Sequence, residues 1–208
     1  MTFLIDHTVF PTAKENMIYD EHLLKRLSEL PIFRVYLWPK IAITCPHNKQ
    51  LPSQLSHYDH APRVTGGGIV FHSPQDIVFS AAASLKEKSL PKKFKDKINY
   101  FSSKISESLQ SIDIDTTRQT QANGDSNRLF CLGYPNPYEL YYKTNKIVGL
   151  SLRRYRHLFL LQGVLHCQSN FDYFKLPDPD FQPYLTKGLS GHYSPKKIVD
   201  QLTSAFGH

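Results

Sequence analysis

With 208 residues, 40% of them apolar and 21% charged, the chain has the size and composition of one soluble α/β domain with decorations. No apolar run nears the ~20 residues of a membrane span, no signal-peptide pattern opens the chain, and three cysteines, Cys45, Cys131 and Cys167, are too few and odd for a disulfide framework and point to a reducing, cytoplasmic setting. The net charge of +7 suits an acidic partner, but its lysines and arginines show neither zinc-finger spacing nor an aromatic-basic RNA-binding pattern, so nucleic acid and membrane are not expected partners.

In chain order, Thr12 and Glu15 form a capping box ahead of a predicted helix from Ala13 to Leu30. Met17, Leu23, Leu24, Leu27 and Leu30 mark its buried face, and Pro31 ends it. Ile32 to Trp38 and Lys40 to Cys45 read as strands. Pro46 to Pro62 is polar and rich in His, Ser and Pro, and is predicted to be a loop. Gly66-Gly67-Gly68 leads into a strand, Ile69 to His72, and Asp76 to Ser80 is another. Pro91 to Ile112 is an amphipathic helix with Phe94, Ile98, Phe101, Ile105, Leu109 and Ile112 on one stripe and its lysines mostly off it. Asp113 to Asn127 is polar and aperiodic, the pattern of a mobile loop. Tyr138 to Lys143 and Lys146 to Arg153 form a hairpin around Thr144-Asn145. Leu158 to Cys167 is a strand, and Ser194-Pro195 starts a last helix to about Phe206.

Three consecutive glycines permit positive φ and close approach of another group. Their amides can hold a carbonyl or a phosphate; the competing reading is a tight bend at a sheet edge. His57, Asp59 and His60, with Cys45 and His47 nearby in sequence, are of metal-ligand type, but without CxxC or HxxxH spacing no metal is assigned.

The segment RVTGGGIVFHSPQDIVFS, from Arg63 to Ser80, resembles the glycine-rich signature of lipoate–protein ligases and octanoyltransferases, with Arg63, Gly66, Gly67, Gly68, Val70, His72 and Ser80 in place. Further anchors are Asn16-Met17 with Asp20-Glu21, then Arg34, Tyr36 and Trp38, then Lys146, Ile147, Gly149 and Arg154, and finally Leu160 and Gly163. The resemblance runs from about residue 10 to 167. It implies an α+β fold of the biotin/lipoate protein ligase type, a mixed, mostly antiparallel sheet with flanking helices. Residues 1–208 would form a single acyl-transfer catalytic domain without a C-terminal accessory domain. Arg63, Gly66, Gly67, Gly68, His72 and Gly149 would line an acyl tunnel, and Lys146 would touch the acyl carbonyl or an adenylate phosphate, a role suited to a compact cation.

Cys131 bears on the chemistry. CLGYPNPYEL is similar to the CFxxPxxYEL of cysteine-type octanoyltransferases and keeps Cys131, Pro135 and Tyr138-Glu139. That resemblance implies that Cys131 attacks the thioester of octanoyl-acyl carrier protein and passes the acyl group to a lipoyl-domain lysine, with no cofactor. A cation such as Lys146 would favour the thiolate; a buried structural cysteine is the other reading. The alternative enzyme is a lipoate–protein ligase that works through lipoyl-AMP, needing ATP, Mg²⁺ and Lys146 but not Cys131. A third reading is a diverged, non-catalytic acyl- or carrier-binding member. The acceptors implied are lipoyl domains of 2-oxoacid dehydrogenase complexes or the glycine cleavage H protein. Too little chain follows residue 167 for a second ordinary domain, which favours the transferase or a ligase whose accessory part is a separate chain. The sequence departs from the family at Pro62, at Pro46, at Leu150 and Leu152, and at Leu161 and Gln162; the leucines would narrow the tunnel or remove a polar contact.

Overall fold

A computed structural model describes residues 2–27, 30–118, 129–131, 136–176, 181, 184–190 and 193–207. Nine strands and three helices are described: β1 (Leu4–Asp6), α1 (Ala13–Arg26), β2 (Ile32–Leu37), β3 (Ala42–Pro46), β4 (Asp59–Arg63), β5 (Val70–His72), β6 (Ile77–Ser84), α2 (Phe94–Gln110), β7 (Leu140–Tyr142), β8 (Asn145–Arg154), β9 (Leu158–Leu165) and α3 (Pro195–Gly207). One sheet has the order β1-β2-β6-β9-β8-β7, the other β4-β3-β5. The β1/β2 and β3/β4 pairs are parallel and all others antiparallel. This is the mixed, mostly antiparallel sheet expected. No described helix is long and apolar enough to cross a membrane.

The large sheet is covered on both faces. One carries α2 and α3 over a core that includes Phe33, Phe79, Phe101, Phe159 and Phe206, where Phe33 and Phe206 stack with centroids 4.0 Å apart. The other carries α1 and the small sheet, packed through Met17, Tyr36, Trp38, Val78 and Val164. Because strand side chains alternate between faces, Gly149, Ser151 and Arg153 of β8 look one way, and Val148, Leu150, Leu152 and Arg154 the other.

Several local expectations need correction. Helix α1 stops at Arg26, where Arg26 pairs with Asp6 of β1 at 2.6 Å, and Leu27 is already extended with ψ 123°. Leu30 is therefore exposed rather than on a buried helical face. The Thr12 hydroxyl accepts the Glu15 amide as predicted, but the Glu15 carboxylate takes the hydroxyl's own proton at 2.5 Å. The segment predicted as a loop ends in β4, an edge strand in which Pro62 is tolerated because it has no ladder donor to lose. The hairpin turns one residue early, at Lys143-Thr144, with Lys143 at φ +55°. Lys97 departs from the solvated face of α2: it is buried, with its Nζ on the Pro91 carbonyl at 2.5 Å. Of the predicted loop from Asp113, Thr117 bridges Tyr141 through two backbone hydrogen bonds of 2.9 Å; residues 119–127 lie outside the described residues.

Candidate functional site

The family-like residues of α1 and β2 form a buried support. Arg34 is fully buried, and its guanidinium holds Asp20 Oδ1 at 2.6 Å, Asn16 Oδ1 at 2.6 Å and the Thr8 carbonyl at 2.9 Å. Such a pair repays its desolvation only when fully hydrogen-bonded. Asp20 Oδ2 accepts from Gln162 Nε2 at 2.6 Å, and Gln162 Oε1 accepts from the Thr65 hydroxyl at 2.7 Å. A polar chain thus runs from α1 through β2 and β9 to the residue before the glycine run. Gln162 is a departure from the family pattern, yet it makes this link.

The glycine run wraps the Arg63 guanidinium. Nη1 donates to the Thr44 carbonyl at 3.0 Å, and Nη2 to the carbonyls of Gly66 at 2.9 Å and Gly68 at 2.5 Å. Ser151 Oγ pins Gly66 O to β8 at 3.0 Å. Gly67 has φ +93°, a conformation costly for any side chain. A Cβ on Gly68 would lie 2.3 Å from Cys131 N, because residues 129–131 pass directly over it: Ile69 N donates to Leu129 O at 2.8 Å and Cys131 N to Ile69 O at 3.0 Å. The glycine at 68 seats the cysteine segment.

Cys131, half-buried, meets two residues of the β7–β8 hairpin region. Lys146 Nζ is 3.6 Å from Cys131 Sγ and donates to Cys131 O at 2.7 Å. It pairs with Glu139 Oε2 at 2.6 Å, while Glu139 Oε1 lies 3.9 Å from the sulfur. A Cβ on Gly149 would stand 3.5 Å from that sulfur. Glu139 and Lys146 are both buried. Burial pushes the Glu139 carboxyl up to about 7 against the pull of Lys146. Burial opposes the Lys146 charge, but Cys131 and Glu139 outweigh it and raise the ammonium's pKa. Cys45 and Cys167 are buried, and desolvation raises both thiols.

Cys131 and Glu139 open onto a cavity of about 370 Å³. Met17, Val70, Val78 and Val164 form its apolar wall towards α1; Thr44, Arg63, His72 and Gln162 supply polar atoms; Gly66, Gly67 and Gly149 line it too. It continues past Leu150 and Leu152 to Phe94 and Ile98 on the α2 side. His72 stacks on Trp38 with centroids 4.3 Å apart, and its Nε2 is 2.9 Å from Thr44 Oγ1. Burial, with help from His166 and Arg63, holds its pKa well below the ordinary value, so the ring is neutral near pH 7. Its Nδ1 has no hydrogen-bond partner among the described residues.

The predicted residues therefore converge, with two qualifications of position. Lys146 sits behind Cys131 rather than in the cavity wall, and Gly68 packs under the cysteine backbone. Pro135 lies outside the described residues. Glu139 was legible only as part of a Tyr-Glu pair; its contact with Lys146 depends on the hairpin. Arg153 is held by the Val64 carbonyl at 2.7 Å, on the face opposite Arg154. Asp59 accepts from Ala13 N and pairs with Lys40, and His60 bonds the Tyr58 carbonyl. No group of three or more His, Cys, Asp or Glu gathers for a metal among the described residues.

A mixed, mostly antiparallel sheet backed by helices on both faces is the catalytic fold of biotin and lipoate protein ligases. Within that class, residues 12–177 match the lipoyl protein ligase A/B catalytic domain, and the chain belongs to this family. Among solved structures, it is similar to the bipartite lipoate protein ligase of Thermoplasma acidophilum, studied with its E2 lipoyl domain (16% identity, 99% of this chain and 82% of that one, TM-score 0.74). It is similar also to lipoate-protein ligase A bound with ATP (17%, 99% and 84%, TM-score 0.72). A third is LipL1 of P. falciparum in complex with lipoate (15%, 99% and 61%, TM-score 0.62). At these identities the likeness is one of fold. No curated protein matches the sequence.

Proposed function

We propose that the protein attaches an octanoyl or lipoyl group to a lysine of a lipoyl carrier domain, by way of a thioester on Cys131. The observation that carries this is the 3.6 Å separation of Lys146 Nζ from Cys131 Sγ, with the cysteine lining the cavity and the lysine behind it. An ammonium at that distance can stabilise the negative charge on the sulfur when the sulfur acts as the nucleophile. The thiolate attacks the carbonyl of an acyl thioester such as octanoyl-acyl carrier protein. The donor's C–S bond breaks, and its thiolate leaves and takes up a proton. The acyl group, now on Cys131, is attacked by the acceptor lysine's neutral amine; an amide forms, the amine gives up one proton and the Cys131 thiolate returns. The apolar wall of Met17, Val78 and Val164 would hold the chain, at about 0.8 kcal/mol per buried CH₂.

The T. acidophilum relative's E2 lipoyl domain supports an acceptor of that type, a lipoyl domain of a 2-oxoacid dehydrogenase complex or the glycine cleavage H protein. The second reading, a ligase that activates lipoate with ATP and Mg²⁺, draws on the ATP bound by lipoate-protein ligase A. The buried cations here suit it less well. Arg63 binds Gly66 O and Gly68 O, and Lys146 binds Glu139 and Cys131 O, so either must turn to meet a phosphate.

One purified lipoyl domain, incubated first with octanoyl-acyl carrier protein and then with lipoate, ATP and Mg²⁺, separates the readings by intact mass. Modification from the thioester, with an octanoyl adduct on the wild type that Cys131→Ser lacks, is the expected result. Modification only with ATP overturns the cysteine route; none with either donor favours a non-catalytic binding member.

A further inference from the structure

Resting on the thioester route just described, we infer that a second, basic cavity binds the phosphate of a 4′-phosphopantetheine arm that presents the acyl thioester to Cys131. This cavity, of about 420 Å³, is lined by Lys86, Lys92, Phe94, Arg154, Arg156 and His157, together with Ser84 and Leu85. The end of β6 and the β8–β9 turn are joined there, by Ser84 opposite Leu158 and by Leu85 N donating to His157 O at 2.8 Å. Four cations thus face one space that no carboxylate among the described residues lines. The nearest acid in sequence, Glu87, is engaged by Ser89 through its amide at 3.1 Å and its hydroxyl at 2.6 Å. Like charges gathered this way create a local positive field suited to an anion. Two planar guanidinium groups suit a phosphate, whose oxygens accept paired N–H donors.

The position of the cavity narrows the choice of anion. Phe94 lines both cavities. Arg154 lies on the same face of β8 as Leu150 and Leu152, which line the first. The sulfur of Cys131 marks the near end, 3.5 Å from a Cβ at Gly149, which looks to the other face. Among the described residues β7 pairs with β8 only as far as Val148, and the first cavity wraps the strand edge beyond it, lined by Gly149 and Ser151 as well as Leu150 and Leu152. From Gly149 to Arg154 the strand spans roughly 17 Å. A phosphopantetheine arm has about 13 bonds from phosphorus to sulfur, which extend to roughly 15 Å at the backbone's advance per bond. The arginine side chain that meets the phosphate has about five more, a further reach of roughly 5 Å, so the two together cover the span. With its phosphate at Arg154 and its chain along Leu152, Leu150 and Phe94, the arm delivers its thioester to the thiol. Acyl carrier protein and coenzyme A both supply this arm, and the pocket recognises the phosphate they share.

The test has a binding arm and a transfer arm. Wild type and the Lys92→Ala/Arg154→Ala variant are titrated with 4′-phosphopantetheine and with pantetheine. Octanoylation of Cys131 is then followed by intact mass with octanoyl-4′-phosphopantetheine, octanoyl-pantetheine, octanoyl-coenzyme A and octanoyl-acyl carrier protein. Wild type is expected to bind the phosphorylated arm at least tenfold tighter. The variant loses that preference, and its KM rises at least tenfold for every phosphorylated donor and stays unchanged for octanoyl-pantetheine. Comparison of the last two donors identifies the source of the arm. Equal wild-type affinity for the two pantetheines overturns the pocket, even where Cys131 acylates. Preferential binding without any adduct supports the pocket and overturns the transfer route. A variant impaired only in its KM for the lipoyl domain assigns the cations to acidic groups of the acceptor and overturns the inference.

Discussion

Lys146 touches Cys131 twice, donating to its carbonyl at 2.7 Å and lying 3.6 Å from its sulfur. One ammonium therefore fixes the backbone of the cysteine segment and stands beside its thiol. Removing it should slow acylation of Cys131 by around two orders of magnitude, the scale for losing one electrostatic stabiliser. Because Lys146→Met alone strands Glu139, the comparison is made with Lys146→Met/Glu139→Gln, which restores stability without restoring rate. Acylation of the double variant at the wild-type rate would remove Lys146 from the chemistry.

Glu139 should make stability fall with rising pH. Its carboxyl titrates near 7 in the folded protein against an ordinary 4.5, so the folded state retains a proton that the unfolded chain has released. Such a contribution is fully present below about 4.5 and is lost as pH rises through about 7. Lys146, raised from 10.5, stays protonated in both states over this window and adds no slope. The loss is on the order of a few kcal/mol. Urea titrations between pH 4.5 and 8 should show wild type losing stability relative to Glu139→Gln; parallel curves would contradict the raised carboxyl.

Gly68→Ala should be among the most damaging small changes in the chain. Its methyl would meet Cys131 N at 2.3 Å and Phe130 C at 2.4 Å, which are backbone atoms that cannot swing aside. Overpacking of this kind costs about 1–3 kcal/mol, and relief requires lifting the cysteine segment away from the cavity. Thermal melts and the rate of thiol alkylation should both change, and a variant matching wild type in both would show that residues 129–131 do not rest on this glycine.

Arg34→Met should destabilise the protein by about 3–5 kcal/mol, since it leaves Asp20 buried without its cation. Among the described residues, Asp20 would keep the Gln162 amide as its hydrogen-bond partner. Arg34→Met with Asp20→Leu should recover much of the loss. Additive losses in the two single variants would argue against a coupled pair.

Leu150 and Leu152 set the width of the cavity on its α2 side. If the proposed transfer holds an octanoyl chain there, Leu152→Ala should raise kcat/KM for ten- and twelve-carbon donors relative to the eight-carbon one. An unchanged ratio would place the acyl chain wholly on the Met17–Val78 side.

The sheet, the helices and the convergence of Arg63, the glycine run, His72, Cys131 and Gly149 were legible because each rests on local pattern or on motif spacing. What escaped depends on pairing partners distant in sequence. β4 hid behind Pro62, since nothing local shows that this strand occupies an edge. The buried Lys97 lies on a helix whose stripe predicts a solvated lysine, and only the Pro91 carbonyl above it explains the exception. Gln162, met first as a departure from a motif, reads in the structure as the join between Asp20 and Thr65. Arg153 and Arg154, adjacent in sequence, lie on opposite faces of β8, because successive strand residues alternate sides.

The hydrogen-bonded chain from Arg34 through Asp20 and Gln162 to Thr65 has a thermodynamic consequence for the loop it reaches. A glycine-rich segment ordinarily surrenders a large conformational entropy when a ligand immobilises it. Here that ordering is coupled to folding, because Thr65 is tied to the core and Arg63 to the carbonyls on either side of Gly67. The loop is preorganised, and a ligand that settles against it need not bear that entropic cost. Amide hydrogens around Thr65 should accordingly exchange at a rate set by global unfolding, the same with and without acyl donor.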